Sequence, residues 1–597
     1  MDTGSTRSLK NKQRADREKA AAAKRAAKAK PATTQPVEIS ERTWLILSVA
    51  ILLLAAVLRL YDLDLVPLHH DEGVNGNFLV RLVREGYYHY DPANYHGPTL
   101  YYFAAFFPWV VRIVFGPNGQ DKYGLTTVAI RSVPALFGIA TIALIFTLRR
   151  NLGTIATLAA AFLLAISPGA VYLSRYFIHE TLFVFFALGM VVAAVKYYEA
   201  PNPVYVILGA MSAALLFATK ETAFVTAGVL LIALVLTIIC RALWNRGMGL
   251  ELGGDESNFL ERVGGPMWLA IWLGVAFGVF VIVNGLFYSS FFTNYPQGVT
   301  DAIKTFQFWK KTGEAAHVHP PATYLHWLLL QEAPLLILGA MGALLAVLRP
   351  VRSFALFVAL WAFGLLAAYS LIQYKTPWLA LNFIVPLALC SGVTIQWCYE
   401  ELKKFVVDDL LRVLALAGIL LFAIGPLAGL AQAFDQAFTS TSEKGLVGAF
   451  SEEKFRRKPF IPGYQTIDLN FINYDNDDRY YVYIYAHTRR QTLKLVDEIN
   501  RLSQRTRQGG DTGITIVSPD YWPLPWYLRN YKRVGYYGRM SPSVEPIIIA
   551  SQGQAEEVQT TFGERYIQIP SGENPAGTFA LRPGVELLLY ARRELVR

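Results

Sequence analysis

The feature that most restricts this chain is a succession of apolar runs, each about 17–25 residues long and separated by short polar stretches. A helix needs about 20 apolar residues to cross ~30 Å of hydrocarbon. Backbone in lipid must satisfy its own hydrogen bonds, which leaves helices or closed barrels. Runs of this length predict a polytopic α-helical membrane protein. Hydrophobic residues make up 53% of the 597 positions and charged residues 17%, against about 25% charge in a soluble domain. From about Ala433 the composition becomes that of an ordinary soluble domain. The expected organisation is a disordered basic tail over 1–42, a membrane domain over 43–432 with its first external loop at 62–123, and a soluble α/β domain over 433–597.

Charge sets the expected orientation. Residues 1–31 hold ten Lys or Arg against three acids, a cytoplasmic tail lying beside an anionic leaflet. The net charge of +10 therefore implies a bilayer partner and no nucleic acid. With that tail inside, the bias of basic residues at helix ends selects about eleven spans and puts the soluble domain outside the cell membrane. Thr99–Phe115, which contains Pro108 and Arg112, fits this count as a helix lying in the outer interface. The three cysteines, Cys240, Cys390 and Cys398, give neither a disulfide framework nor zinc spacing. In the soluble part, Tyr480–Tyr485 and Ile514–Val517 alternate like strands and Arg489–Gln504 has helical spacing. Trp522 to Tyr527, with Pro523 and Pro525, reads as an irregular turn.

The polar residues then gather on the outer side. The first external loop holds His69-His70-Asp71-Glu72, Tyr90-Asp91-Pro92 and Tyr95-His96-Gly97-Pro98. An acid there can serve as a general base, and two acids with histidines can hold a divalent cation. The alternative is that Asp71 and Glu72 cap the helix that follows. The second loop carries Arg175, His179 and Glu180, where Arg175 either forks onto a phosphate or pairs with Glu180. Lys220, between two apolar runs, either meets a lipid phosphate or snorkels to the interface. Lys375, flanked by Tyr374 and Trp378, offers a second phosphate contact or an interfacial anchor. Glu332 lies inside an expected span, as a functional acid or as a structural one bonded to a neighbouring helix.

Taken together, the acids after the first span, the His96-Gly97-Pro98 turn, the Arg175 and Glu180 pair and the Thr219-Lys220-Glu221 turn resemble the GT-C glycosyltransferases over about residues 43–400. These are membrane enzymes that use polyprenyl-phosphate sugars, such as protein O-mannosyltransferases. The first loop looks closest to the "flippase activity-associated" branch of archaeal N-glycosylation and its bacterial relatives. The resemblance implies a GT-C fold with about eleven transmembrane helices and juxtamembrane helices. It also implies transfer of a sugar from a polyprenyl-phosphate donor to a glycan, lipid or protein acceptor on the outer face. It implies Asp71, or its neighbour Glu72, as the base, with Glu180 supporting acceptor or metal. Lys220 and Arg175, with Lys375, would hold the donor phosphate. His70, Tyr90, Asp91, His96, His179 and Glu332 would line the sugar and acceptor side. Mg2+ or Mn2+ on Asp71 and Glu180 is the cofactor the pattern allows. The alternative function is a non-catalytic lipid-linked-sugar binder or flippase component of a glycosylation pathway.

Overall fold

The computed structural model describes residues 39–94, 96–116, 121–247, 257–305, 317–348, 353–408, 410–420, 463–474 and 481–596. The basic segment up to residue 38, Tyr95, Tyr480, the far end of the eleventh expected span and the expected start of the soluble domain lie outside these residues. Every site residue belongs to the compact unit that begins at Leu47.

In chain order the helices are α1 (Glu41–Leu60), α2 (His70–Glu85), α3 (Thr99–Phe115), α4 (Thr127–Phe146), α5 (Thr154–Ile166), α6 (Pro168–Ser174), α7 (Glu180–Glu199) and α8 (Pro203–Phe217). They continue as α9 (Ala223–Gly247), α10 (Pro266–Tyr288), α11 (Thr323–Gln331), α12 (Ala333–Leu348), α13 (Ser353–Leu371) and α14 (Leu381–Leu402). A further apolar helix, α15, covers Leu410–Leu420. Among the described residues seven helices are long and apolar enough to cross a membrane, or nine if two bent pairs each count as one span. The bent pairs are α5 with α6, at 62°, and α11 with α12, at 113°. The chain is thus a multi-pass membrane protein, as expected. The third expected span ends at Ser167, where the chain bends into α6, whereas the eighth, expected as continuous, is broken at Glu332.

One residue ties the two bends together. Glu332 Oε1 accepts from Ser167 Oγ and from the Gly169 backbone N, each at 2.8 Å. It thereby satisfies an N–H that the start of α6 would leave orphaned. α14 is the hub of the bundle: it packs on α5, α12 and α13 and buries most of its length. α3 buries Leu100, Tyr101 and Ala104 and exposes Phe106, Trp109 and Ile113. It is an apolar helix shorter than the spanning ones.

The C-terminal part holds α16 (Gln491–Thr506) and strands β1 (Gly513–Ile516), β2 (Arg533–Tyr536), β3 (Ile547–Ser551), β4 (Tyr566–Ile569), β5 (Phe579–Arg582) and β6 (Val585–Arg592). The sheet runs β2-β1-β3-β6-β4, and β5 also pairs with β6. β1 pairs in parallel with β2 and β3, whereas β6 is antiparallel to β3, β4 and β5. Leu495, Ile499 and Leu502 of α16 pack on Ile514, Ile547 and Leu589 to form its core. The helix and the strand expected around Arg489–Gln504 and Ile514–Val517 are therefore present. The expected strand at Tyr480–Tyr485 is not: its described residues, 481–485, are turn, bend and irregular chain. Their alternation has another cause. The Tyr481 hydroxyl donates to Asp468 Oδ2 at 2.6 Å, and Tyr483 packs on Gly169 beside Glu332. These side chains dock on the membrane bundle instead of joining the sheet.

Candidate active site

The four polar loops expected on one side of the membrane do come together. The His96-Gly97-Pro98 turn pairs with the Lys220 turn: Gly97 N donates to Thr219 O at 3.0 Å and Thr99 N to Ala218 O at 3.2 Å. A Cβ on Gly97 would sit 2.1 Å from Ala218 O, so only glycine allows this approach. The segment 317–319 lies against 373–375, with His319 N donating to Gln373 O and Lys375 N to His317 O.

The two acids of the first loop have opposite environments. α2 opens with a capping box in which His69 is the N-cap and Glu72 the third residue. Glu72 is fully buried. Its carboxylate accepts from Arg131 Nε at 2.7 Å and Arg131 Nη2 at 2.6 Å, from His69 N at 3.0 Å and from Phe177 N at 2.7 Å. Arg131 also donates to the carbonyls of Leu63, Val66 and Pro67. Glu72 thus locks α2, α4 and the second loop together, and no lone pair remains to take a proton from an acceptor. The helix-capping alternative is what Glu72 does. Asp71, one position earlier, leaves 39% of its side chain exposed, with its carboxylate 3.9 Å from His69 Nδ1.

The expected cations divide in the same way. Arg175 caps the end of α1, donating to Tyr61 O at 2.5 Å and Asp62 O at 2.8 Å, with its guanidinium 4.6 Å from the Phe471 ring. Burial and the nearby Arg131 pull its pKa down to about 10. Its fork serves backbone carbonyls instead of a phosphate or Glu180. Lys220 is buried and donates to Glu180 Oε1 at 2.5 Å. Burial acts to lower its pKa, but Glu180 and Glu221 outweigh that and hold it above the ordinary lysine value. Lys375 Nζ lies against the Ile372 and His319 carbonyls, and burial pulls its pKa down to about 8.

Around Lys220, His96 Nδ1 is 3.2 Å from Glu221 Oε2, and the His179 ring stands 5.0 Å from that of His96. His179 Nε2 meets Gly97 O at 3.0 Å; burial, His96 and Lys220 hold this ring neutral. The Tyr90 hydroxyl is 2.5 Å from Thr305 Oγ1, and Asp91 closes its own turn by accepting from Ala93 N. Glu332 is spent on α6, away from this cluster. Among the described residues no three His, Cys, Asp or Glu side chains are grouped to hold a metal. With Glu180 paired to Lys220, the donor set does not fit the expected cation, and no step below is routed through one.

An apolar groove of about 640 Å3 runs between α9, α12 and α13, lined by Val229, Leu236, Ala340, Val347, Phe363 and Ala368 among others. Lys220 lies just before α9 and Lys375 just after α13, so both lysines stand at one end of the helices that form it.

The C-terminal part brings to the site the Trp522 to Tyr527 turn, expected only as an irregular turn, and Asp520 and Arg582, for which the sequence carried no expectation. Trp522 to Tyr527 seats on the glycine face of α2. A Cβ on Gly73 would lie 2.6 Å from Pro523 Cβ, and one on Gly76 would lie 2.7 Å from the Trp526 ring. Leu68 N donates to the Tyr527 hydroxyl at 2.8 Å. Arg582 Nη1 is 3.4 Å from His70 Nδ1 and pairs with Asp520, and the Trp522 ring is 6.1 Å from that of His70. His69 Nε2 meets Tyr485 O at 3.0 Å, and its ring faces Trp378 and His487. Of the residues for which the sequence carried no expectation, Arg131 alone had a usable signal, a lone charge within an expected span.

A described bundle with bent helices, polar loops on one side and a small sheet domain matches a known class. The structure of ArnT from Cupriavidus metallidurans bound to undecaprenyl phosphate superposes with a TM-score of 0.51 at 14% identity, covering 92% of this chain and 98% of that one. The Archaeoglobus fulgidus oligosaccharyltransferase in the apo form gives 0.49 at 15% identity, over 83% and 64%. The chain thus shares the fold of that ArnT structure. Residues 104–253 match the family model described as dolichyl-phosphate-mannose-protein mannosyltransferase. No curated protein sequence matches the chain.

Proposed function

We propose that this protein transfers a sugar from a polyprenyl-phosphate donor to an acceptor on the extracytoplasmic face of the cell membrane, with Asp71 as general base. The observation that carries this reading is the contrast between a water-open Asp71 and a sealed Glu72 at the start of one rigid helix. The polyprenyl tail lies in the groove between α9, α12 and α13, and Lys220 and Lys375 hold the phosphate at its mouth. An acceptor oxygen attacks the anomeric carbon while Asp71 takes its proton. The bond from that carbon to the phosphate oxygen breaks, and polyprenyl phosphate leaves with the electron pair. Fixed cations at the leaving oxygen are the largest expected contribution in such a site. The basic N-terminus is cytoplasmic in this reading, and the sheet domain lies on the side of the reaction.

The test is transfer in membranes containing the full chain, supplied with undecaprenyl-phosphate mannose and undecaprenyl-phosphate glucose. Release of undecaprenyl phosphate together with labelled product is expected. Donor binding without release, over a broad acceptor panel, would support the non-catalytic binder instead.

Lys375 adds a pH signature. Its pKa of about 8 means that the ammonium is present below that pH and lost above it. Donor affinity is therefore expected to fall as pH rises through about 8, and Lys375→Met should flatten that limb. Titration of undecaprenyl phosphate binding between pH 6.5 and 9.5, at roughly constant ionic strength, reads this out. An unchanged limb in the variant would remove Lys375 from the phosphate site.

A further inference from the structure

We infer that Trp522, Asp520 and Arg582 of the C-terminal sheet domain, with His70 of α2, form a subsite for a sugar ring of the acceptor; this rests on the transferase reading above. Three segments far apart in sequence converge there: the turn after β1, the end of β5 and the first turn of α2. They meet beside Asp71, the open acid of the first loop. The carboxylate of Asp520 and the guanidinium of Arg582 form an ion pair whose side chains remain 43% and 20% exposed. Such a pair offers acceptors and donors side by side, which suits neighbouring hydroxyls on a ring. Arg582 donates toward His70 Nδ1, and burial lowers the His70 pKa, so the ring is neutral and available as a hydrogen-bonding edge. Trp522 is half-buried next to His70, with an indole on which the apolar C–H face of a sugar can stack.

The placement of this group is fixed, not incidental. The Trp522 to Tyr527 segment is pressed onto Gly73 and Gly76, and Arg529 anchors its far end through Asp121 Oδ2 at 3.0 Å and the Trp526 ring at 4.3 Å. A half-buried aromatic beside a few convergent polar groups is how a small-ligand site fixes orientation. The chemistry favours a glycan or glycolipid acceptor over a polypeptide. A polypeptide is recognised by backbone pairing or by side-chain pockets, whereas this group offers a flat face and a paired charge.

The test uses the full chain in phosphatidylglycerol nanodiscs, with methyl α-mannoside, methyl α-glucoside and maltotriose as probes in saturation-transfer NMR. Saturation of ring protons is expected in the wild type. A drop of about fivefold or more is expected in Trp522→Ala and in Asp520→Asn, with undecaprenyl phosphate binding retained as the check on folding. No saturation in the wild type would overturn the proposal, as would equal saturation in both variants. Binding of an acetylated Ala-Thr-Ala amide in place of the glycosides, lost in the same variants, would assign the subsite to a polypeptide and overturn the sugar assignment. Glycoside binding without transfer from any donor would leave the subsite standing and sink the transferase reading. Transfer to glycan acceptors unaffected by Trp522→Ala would do the reverse.

Discussion

Asp71→Asn is expected to lower sugar transfer by roughly 10²–10⁴-fold, the usual contribution of a positioned general base, with no measurable loss of thermal stability. Its side chain is 39% exposed and its carboxylate lies 3.9 Å from His69 Nδ1, so an amide of the same shape leaves no buried group unpaired. Glu72→Gln, one residue away, should do the opposite. Its carboxylate takes two hydrogen bonds from Arg131 and one each from His69 N and Phe177 N, all in a buried setting. Removing one partner of a buried ion pair costs roughly 3–5 kcal/mol, because the other charge is stranded. Thermal unfolding in detergent, followed by transfer measured per folded molecule, separates the two. Asp71→Asn should unfold with the wild type and be inactive. Glu72→Gln should unfold many degrees earlier, with whatever folded fraction survives still active. Full transfer by Asp71→Asn would remove it as the base. Equal stability of Glu72→Gln would mean that the Arg131 pair does not hold α2.

These adjacent residues also show how far the sequence could be read. It presented Asp71-Glu72 as a base or as a helix cap; Glu72 is the cap, and Asp71 is left as the proposed base. What separates them is Arg131, placed by the packing of α4 against the first loop. The lengths of the apolar runs made the membrane bundle legible, because hydrocarbon thickness imposes a length on any sequence. The meeting of the loops on one side was legible too, since basic residues mark the other ends of the helices. The break at Glu332, inside the eighth expected span, was not. Pro334 hints at it, but Glu332 also accepts from Gly169 N, a contact across more than a hundred residues. Arg175 looked like a phosphate fork because its type suits one, yet the carbonyls ending α1 reach it first. The contribution of Asp520, Trp522 and Arg582 was hidden for a similar reason: local pattern carries no information about which distant segment docks on the glycine face of α2.

Lys220 offers the second large effect, because it and Glu180 form a buried pair at 2.5 Å with nearly all of both side chains out of water. Lys220→Met strands Glu180, and Glu180→Gln strands Lys220, so each single change is expected to destabilise by roughly 3–5 kcal/mol. Neither alone can distinguish a phosphate ligand from a structural ion pair. The double variant Lys220→Met with Glu180→Gln can. It removes both charges and leaves no uncompensated partner, so its stability should recover toward the wild type, with a coupling of roughly 0.5–3 kcal/mol between the sites. If Lys220 also holds the donor phosphate, the recovered protein should still bind undecaprenyl phosphate roughly 10- to 100-fold more weakly, since a hydrogen bond to a charged group contributes about 1.5–3 kcal/mol. If the lysine serves only its partner acid, stability and donor affinity should recover together. Glu221, held by His96 at 3.2 Å and also acting on Lys220, keeps the local balance negative once the lysine is gone. A phosphate would then face Glu221 with Lys375 as its one remaining proposed cation, so the loss of affinity should grow as ionic strength is lowered. A purely structural lysine gives no such salt dependence, and that difference decides which role Lys220 has.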